Sequence, residues 1–224
     1  MKTVNLIGHL LVDRIYSQEA VTETLGGIAN VWSSLLRLNN NINVNVSPCS
    51  IGEALIVVNK NINRRVGKAI LNHNIVKPTI STSDWYHIAY LNQIDNLSFL
   101  DSIHNIVSAD ITKEKPELCY NHLNKIDYLF ISKEDLFEDI KIIGKKVNRW
   151  VIAHDPFGSI YSDGSTVHEH ILPDENYLNN VNILGAGDSF AACFINEHIT
   201  NSDMGIHNLI KNAHLNTTNL IKNK

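Results

Sequence analysis

The residues best placed to do chemistry are Gly185-Ala186-Gly187-Asp188-Ser189-Phe190, followed at once by the apolar run Ala191, Ala192, Phe194 and Ile195. Two glycines bracketing an alanine ahead of a helix make a turn whose backbone N–H groups converge, and such a turn binds anions. A carboxylate inside it is electrostatically unwelcome unless it accepts a proton, for example from a hydroxyl attacking a phosphoryl group. The same residues would also serve simply as a helix cap, since Gly and Asp are good capping residues. A second element, Gly26-Gly27-Ile28-Ala29-Asn30, opens another helical stretch. Paired glycines let a ligand approach the backbone, and Asp13 with Asn30 offers acceptors and donors suited to sugar hydroxyls.

The elements that must carry these residues alternate. Candidate strands are Val4 to Leu10, Trp85 to Leu91, Ile106 to Ile111, Tyr128 to Ile131 and Trp150 to His154. Ile28, Val31, Trp32, Leu35 and Leu36 follow the i, i+3, i+4, i+7, i+8 stripe of a helix. Leu136, Phe137, Ile140 and Ile143 form a second stripe, and Ile206, Leu209, Ile210 and Ala213 a third. Strand-helix alternation predicts a mostly parallel sheet covered on both faces, with ligands beyond the carboxyl ends of its strands. Asp13 to Thr24 and Leu55 to Val76 break the pattern and read as flap segments. Ser162-Asp163-Gly164-Ser165 marks a hairpin.

Taken together these residues resemble the ribokinase-like, or PfkB, family of carbohydrate and nucleoside kinases. Asn5-Leu6-Ile7-Gly8 with Asp13 resembles the family's first strand and substrate aspartate, and Gly26 to Val31 its di-glycine signature in a short-spaced form. Val107-Ser108-Ala109-Asp110 resembles the mid-sheet strand ending in Asp, and Asn182 to Phe190 the carboxyl-terminal signature. The resemblance implies a single domain over residues 1–224, a three-layer α/β/α sandwich with a small, reduced β lid from about 13–25 and 54–78. It implies transfer of the γ-phosphoryl group of ATP to an alcohol of a sugar or sugar-like substrate. Asp188 would be the base, Gly185, Ala186 and Gly187 the anion hole, and Asp13, Gly26, Gly27 and Asn30 the acceptor site. Ser132, Asp135, Ala153, Asp155 and Gly158 stand at the implied nucleotide positions. Mg2+ would be held by ATP and water, with no direct protein ligand and Asp135 in its outer sphere.

The chain departs from the family pattern at three places. Asn182-Ile183-Leu184 replaces the usual Asp and Thr, Ser132-Lys133-Glu134-Asp135 stands for the Asn-x-x-Glu element, and Ala153-His154-Asp155 for Thr-x-Gly. These losses motivate an alternative expectation, a catalytically weak kinase-like protein that binds a sugar or nucleotide and regulates. A dinucleotide enzyme is disfavoured, because Gly8 stands alone after the first strand.

With 224 residues, 44% hydrophobic, 19% charged and a formal net charge of -4, the composition is that of a globular domain. It carries no basic excess for nucleic acid or an anionic membrane. Cys49, Cys119 and Cys193 lack metal or disulfide spacing and point to a reducing compartment, so a cytoplasmic location is expected. The first eleven residues read as a strand rather than a signal peptide. His168-Glu169-His170 has strand spacing for two imidazoles, but an exposed hairpin is the simpler reading, as is a solvated turn for Arg64-Arg65. His87 reads as a satisfied strand-end residue. A homodimer through the lid is possible by the family resemblance.

Overall fold

The computed structural model describes residues 1–17, 20–38, 41–59, 64–172 and 184–222. Its described strands are β1 (Lys2–Tyr16), β2 (Val21–Gly27), β3 (Ile42–Asn59), β4 (Arg64–Ile75), β5 (Trp85–Ile88), β6 (Ile106–Ile111), β7 (Tyr128–Ser132), β8 (Trp150–Asp155), β9 (Gly158–Ser162) and β10 (Val167–Ile171). They form one sheet in the order β10-β9-β8-β7-β6-β5-β1-β3-β4, with β2 also paired to β1. The six strands from β8 to β3 are mutually parallel. Every residue of β5 is buried, as a strand covered on both faces requires.

One face carries the α-helices α1 (Ile28–Arg37), α3 (Ala186–Thr200) and α4 (Ile206–Lys222) over a core that includes Leu6, Trp85, Phe130, Phe190 and Phe194. The other is covered by α2 (Ile140–Gly144) and short 3-10 segments at Leu91–Gln93, Ser98–Ser102, Pro116–Lys125 and Lys133–Asp135. A second core around Ile88, Leu129, Val151 and Ala153 lies beneath them. The fold is thus a mostly parallel, doubly covered α/β sheet, as the alternation predicts.

The segments expected to leave the sheet remain hydrogen-bonded to it. The second half of β1 pairs antiparallel with β2 from Leu10↔Gly27 to Tyr16↔Val21. The second half of β3 pairs antiparallel with β4, setting Val58 and Asn59 opposite Arg65 and Arg64. β1 and β3 run through both regions, shifting register once between Gly8 and His9. That irregularity re-aims the strand where it leaves the core.

Three local expectations change. The buried face of α1 is Ile28, Ala29, Val31, Ser34 and Leu35, while Leu36 is exposed. Trp32 of the expected stripe is exposed as well, while Ser34 turns inward and shares a 3.0 Å hydrogen bond with Ser189 of α3. The strand expected to reach Leu91 ends at Ile88, because Tyr90 adopts a left-handed φ of 57° and its N–H donates to the Asp110 carboxylate. Leu136 and Phe137 pack on the second core from a non-helical segment ahead of α2.

Candidate functional site

The two glycine motifs meet. Gly185, at φ 75°, is the N-cap of α3, and the Ser189 N–H donates to its carbonyl at 2.9 Å, closing the first turn. Ala186, Gly187 and Asp188 therefore occupy the first three helical positions, whose N–H groups have no intrahelical acceptor. Asp188 is 6% exposed, and the Asn30 side chain donates to its Oδ2 at 2.9 Å across 158 residues of sequence. Asn30 also lies against Gly185, where a Cβ would stand 3.4 Å from the amide carbon.

Asp13, Gly26 and Gly27 are linked by the same kind of close contact. Asp13, 4% exposed, pairs with Thr24 across β1 and β2. Its carboxylate fills the space that a side chain on Gly26 would take, with a Cβ there only 2.1 Å from Oδ2. Gly27 has φ 62°, and its Cβ would lie 2.0 Å from the His9 carbonyl oxygen. Gly26 and Gly27 thus let α1 start directly against β1. Asp13, the di-glycine step, Asn30 and Asp188 form a continuous run of contacts. Beside it His9, itself bonded to Ser50, lines a cleft of about 430 Å3 whose other walls include Lys77, Gln93, Asn96 and Phe99. A larger hollow of about 650 Å3, among Lys2, Asp84, Asp127 and Arg149, opens at the amino ends of the strands, away from these motifs.

On the other side of α3, Ser132 ends β7 in register with His154 near the end of β8. Asp155 lies 3.3 Å from Lys133 Nζ and accepts from the Phe157 N–H at 2.8 Å. Asp135 lies 3.8 Å from Lys113 Nζ. Ala153 is fully buried in the second core, facing away from α3. Gly158, at φ 136°, lets β9 approach β10, for its Cβ would lie 2.0 Å from the His170 carbonyl oxygen. Asn182 and Ile183 lie outside the described residues, and among the described residues no cluster of three or more His, Cys, Asp or Glu could hold a metal ion.

His154 is the unspecified middle of the Ala153-His154-Asp155 triplet, a position that no motif marks. Strand alternation places it on the face of Ile152, toward α3, where it stacks on Phe190 with centroids 4.5 Å apart. Burial pushes its pKa down to about 4, with Asp155 opposing and Lys133 reinforcing the shift. His87 is fully buried, shares a 3.0 Å hydrogen bond with Ser108, and is pushed down to about 3 by burial. His168 stacks on Tyr161 and is exposed, whereas His170 turns toward His207 and His214. Burial drives all three thiols up, Cys193 to about 12, so they behave as small apolar groups.

No family model matches the chain, and no curated protein matches it in sequence. Solved structures do match. A pyrophosphate-dependent kinase in the ribokinase family, complexed with a pyrophosphate analog and myo-inositol, superposes with a TM-score of 0.66 over 98% of this chain and 95% of that one, at 17% identity. The chain has the ribokinase-like fold. Fructokinase from Vibrio cholerae O395 shares this fold at TM-score 0.65 and 15% identity, over 100% of this chain and 99% of its own. Fructokinase with bound ATP from Xylella fastidiosa matches at 0.64 and 13%, over 96% and 89%. In this ribokinase-like fold Asp188 stands at the start of α3, with the di-glycine element on one side and the ends of β7 and β8 on the other. No described helix is long and apolar enough to cross a membrane.

Proposed function

We propose that this protein is a phosphotransferase that moves a phosphoryl group from ATP to an alcohol of a sugar or sugar-like polyol. The observation that carries the reading is the Asn30–Asp188 hydrogen bond, which joins the di-glycine element to the Gly-Ala-Gly-Asp turn. Asp188 takes the proton of the acceptor hydroxyl. The hydroxyl oxygen bonds to phosphorus as the bridging O–P bond of the donor breaks, and the N–H groups at Gly185 to Gly187 stabilise the charge on the transferring group. Asp13 and Asn30 hold neighbouring hydroxyls, and the bare backbone at Gly26 and Gly27 lets the acceptor approach. That the neighbours in structure include a kinase solved with myo-inositol and a fructokinase supports a polyol acceptor.

The donor side rests on Ser132, Asp135, Ala153, Asp155 and Gly158. Of these, Ser132 and Asp155 sit at the carboxyl ends of β7 and β8, while Ala153 can contribute only through its backbone. Magnesium, when bound, would neutralise part of the donor's charge and would be held by the donor's phosphates and water, with Asp135 in its outer sphere. The exposed Tyr16, Val21, Leu25, Ile51 and Ile75 on the lid strands support pairing of two copies through that region.

The second reading, a kinase-like protein that binds but transfers weakly, is favoured by the buried Ala153 and by the Asp155 carboxylate where the related pattern has glycine. Release of ADP over a panel of sugars, sugar phosphates and nucleosides tests the first reading. Calorimetric titration with a non-hydrolysable ATP analogue and magnesium separates the two, since absence of binding at millimolar concentration supports the second.

A further inference from the structure

The turn at the head of α3 has two flanks, and only one of them is the acceptor flank. Gly185 faces Asn30, whereas a Cβ on Gly187 would stand 3.4 Å from His154 Cε1 and 3.9 Å from Nε2. The imidazole thus lies against the second helical residue, on the side of β8. Building on the phosphotransfer reading, we infer that His154 is a donor-binding residue, its ring N–H donating to a phosphate oxygen of the donor on the flank of the turn opposite Asn30.

Three features make the ring fit that task. It lies nearly parallel to Phe190 at 24°, and Phe190 also packs against His214 at 4.7 Å. His214 is in turn fixed by a 2.7 Å hydrogen bond to Ser159. Among the described residues no group hydrogen-bonds the His154 ring, so its N–H is not committed to the fold. Last, an imidazole presents a ring N–H in either tautomer. The charged or titratable groups that act on it are Asp155 on its own strand, Lys133 after β7 and His214 on α4.

His154 undergoes no covalent change. In the transfer the acceptor oxygen gains the phosphoryl group, Asp188 gains the acceptor's proton, and the donor's bridging oxygen leaves with the bond electrons while the His154 N–H steadies the charge. The arrangement asks nothing of a nucleoside, so it serves inorganic pyrophosphate as well as a nucleoside triphosphate.

The test compares wild type, His154→Ala and His154→Gln in steady-state assays with ATP and with pyrophosphate as donors. His154→Ala is expected to raise the donor KM about tenfold or more and leave the acceptor KM unchanged, and His154→Gln, which keeps an N–H, to recover most of the loss. Equal donor KM values in wild type and His154→Ala overturn the inference. If the wild type transfers nothing, the phosphotransfer reading fails on its own. The inference is then read from NMR of the wild-type imidazole nitrogens on titration with magnesium pyrophosphate. A shift of the His154 signals that saturates with pyrophosphate supports it, and unmoved signals overturn it. The same spectra serve if the alanine variant does not fold.

Discussion

Substituting Gly26 and Gly27 separately by alanine should produce opposite failures, although the residues are neighbours. A Cβ on Gly26 would lie 2.1 to 2.2 Å from three atoms of the Asp13 carboxyl group, which is the mobile end of a side chain, and Gly26 has an ordinary backbone conformation. Asp13 can swing aside at small cost, so the fold survives and the acceptor contact is lost. A hydrogen bond to a charged group contributes about 1.5–3 kcal/mol, which at about 1.36 kcal/mol per decade is roughly a 10- to 150-fold rise in acceptor KM. A Cβ on Gly27 would instead meet backbone, the His9 carbonyl oxygen at 2.0 Å, with φ at 62°. With ψ at -133° this positive-φ conformation lies outside the left-handed helical region and costs a non-glycine residue about 1–3 kcal/mol, and the forced backbone shift costs about 1–3 more. Together these lower the melting temperature by roughly 4–24 °C in a domain of this size. Thermal melts by circular dichroism and acceptor saturation curves read both. A Gly26→Ala protein whose acceptor KM stays within twofold of wild type would refute the placement of Asp13 in the acceptor site.

Acid should unfold the protein through its buried imidazoles. His87 and His214 are each pushed down to about 3 by burial, and His154 to about 4. A histidine kept neutral in the fold stabilises it above the unfolded pKa, and that contribution is lost as pH falls toward the folded value. With an unfolded pKa near 6.5, His87 and His214 should each remove about 2 kcal/mol by pH 5. Urea midpoints should fall steeply from pH 6.5 to 4, and a flat profile contradicts the burial. The Ser34–Ser189 pair is a second case. Ser34→Ala strands a buried hydroxyl and should cost about 1–3 kcal/mol, while the double alanine variant should recover part of it. In sedimentation velocity the protein should run as a dimer, and Leu25→Lys with Ile75→Lys should yield monomer; a monomeric wild type refutes lid pairing.

Most of the sheet is legible because its central strands are mostly apolar and flanked by turn residues, and α1 and α4 because their stripes repeat at the helical period. The Gly-Ala-Gly-Asp turn and the di-glycine step were legible for a local reason, since each needs glycine where backbone comes close. That they touch is a long-range fact, and spacing along the chain does not encode the 2.9 Å contact from Asn30 to Asp188. The end of β5 at Ile88 was hidden because it depends on Asp110, a residue on another strand, taking the Tyr90 N–H. His154 was hidden for a different reason. The motif positions are Ala153 and Asp155, but a strand shows alternate residues to opposite faces, and His154 is the one turned to α3.

The account turns on Asp188 as the base that starts phosphoryl transfer, and Asp188→Asn tests it directly. The amide keeps the size of the carboxyl group and an oxygen to accept from Asn30, so the melting temperature should move by only a few degrees. With an acceptor found by ADP release, kcat should fall by roughly 10²–10⁴-fold, the span of general-base catalysis, while the donor KM stays close to wild type. Turnover by Asp188→Asn at the wild-type rate would contradict the central claim.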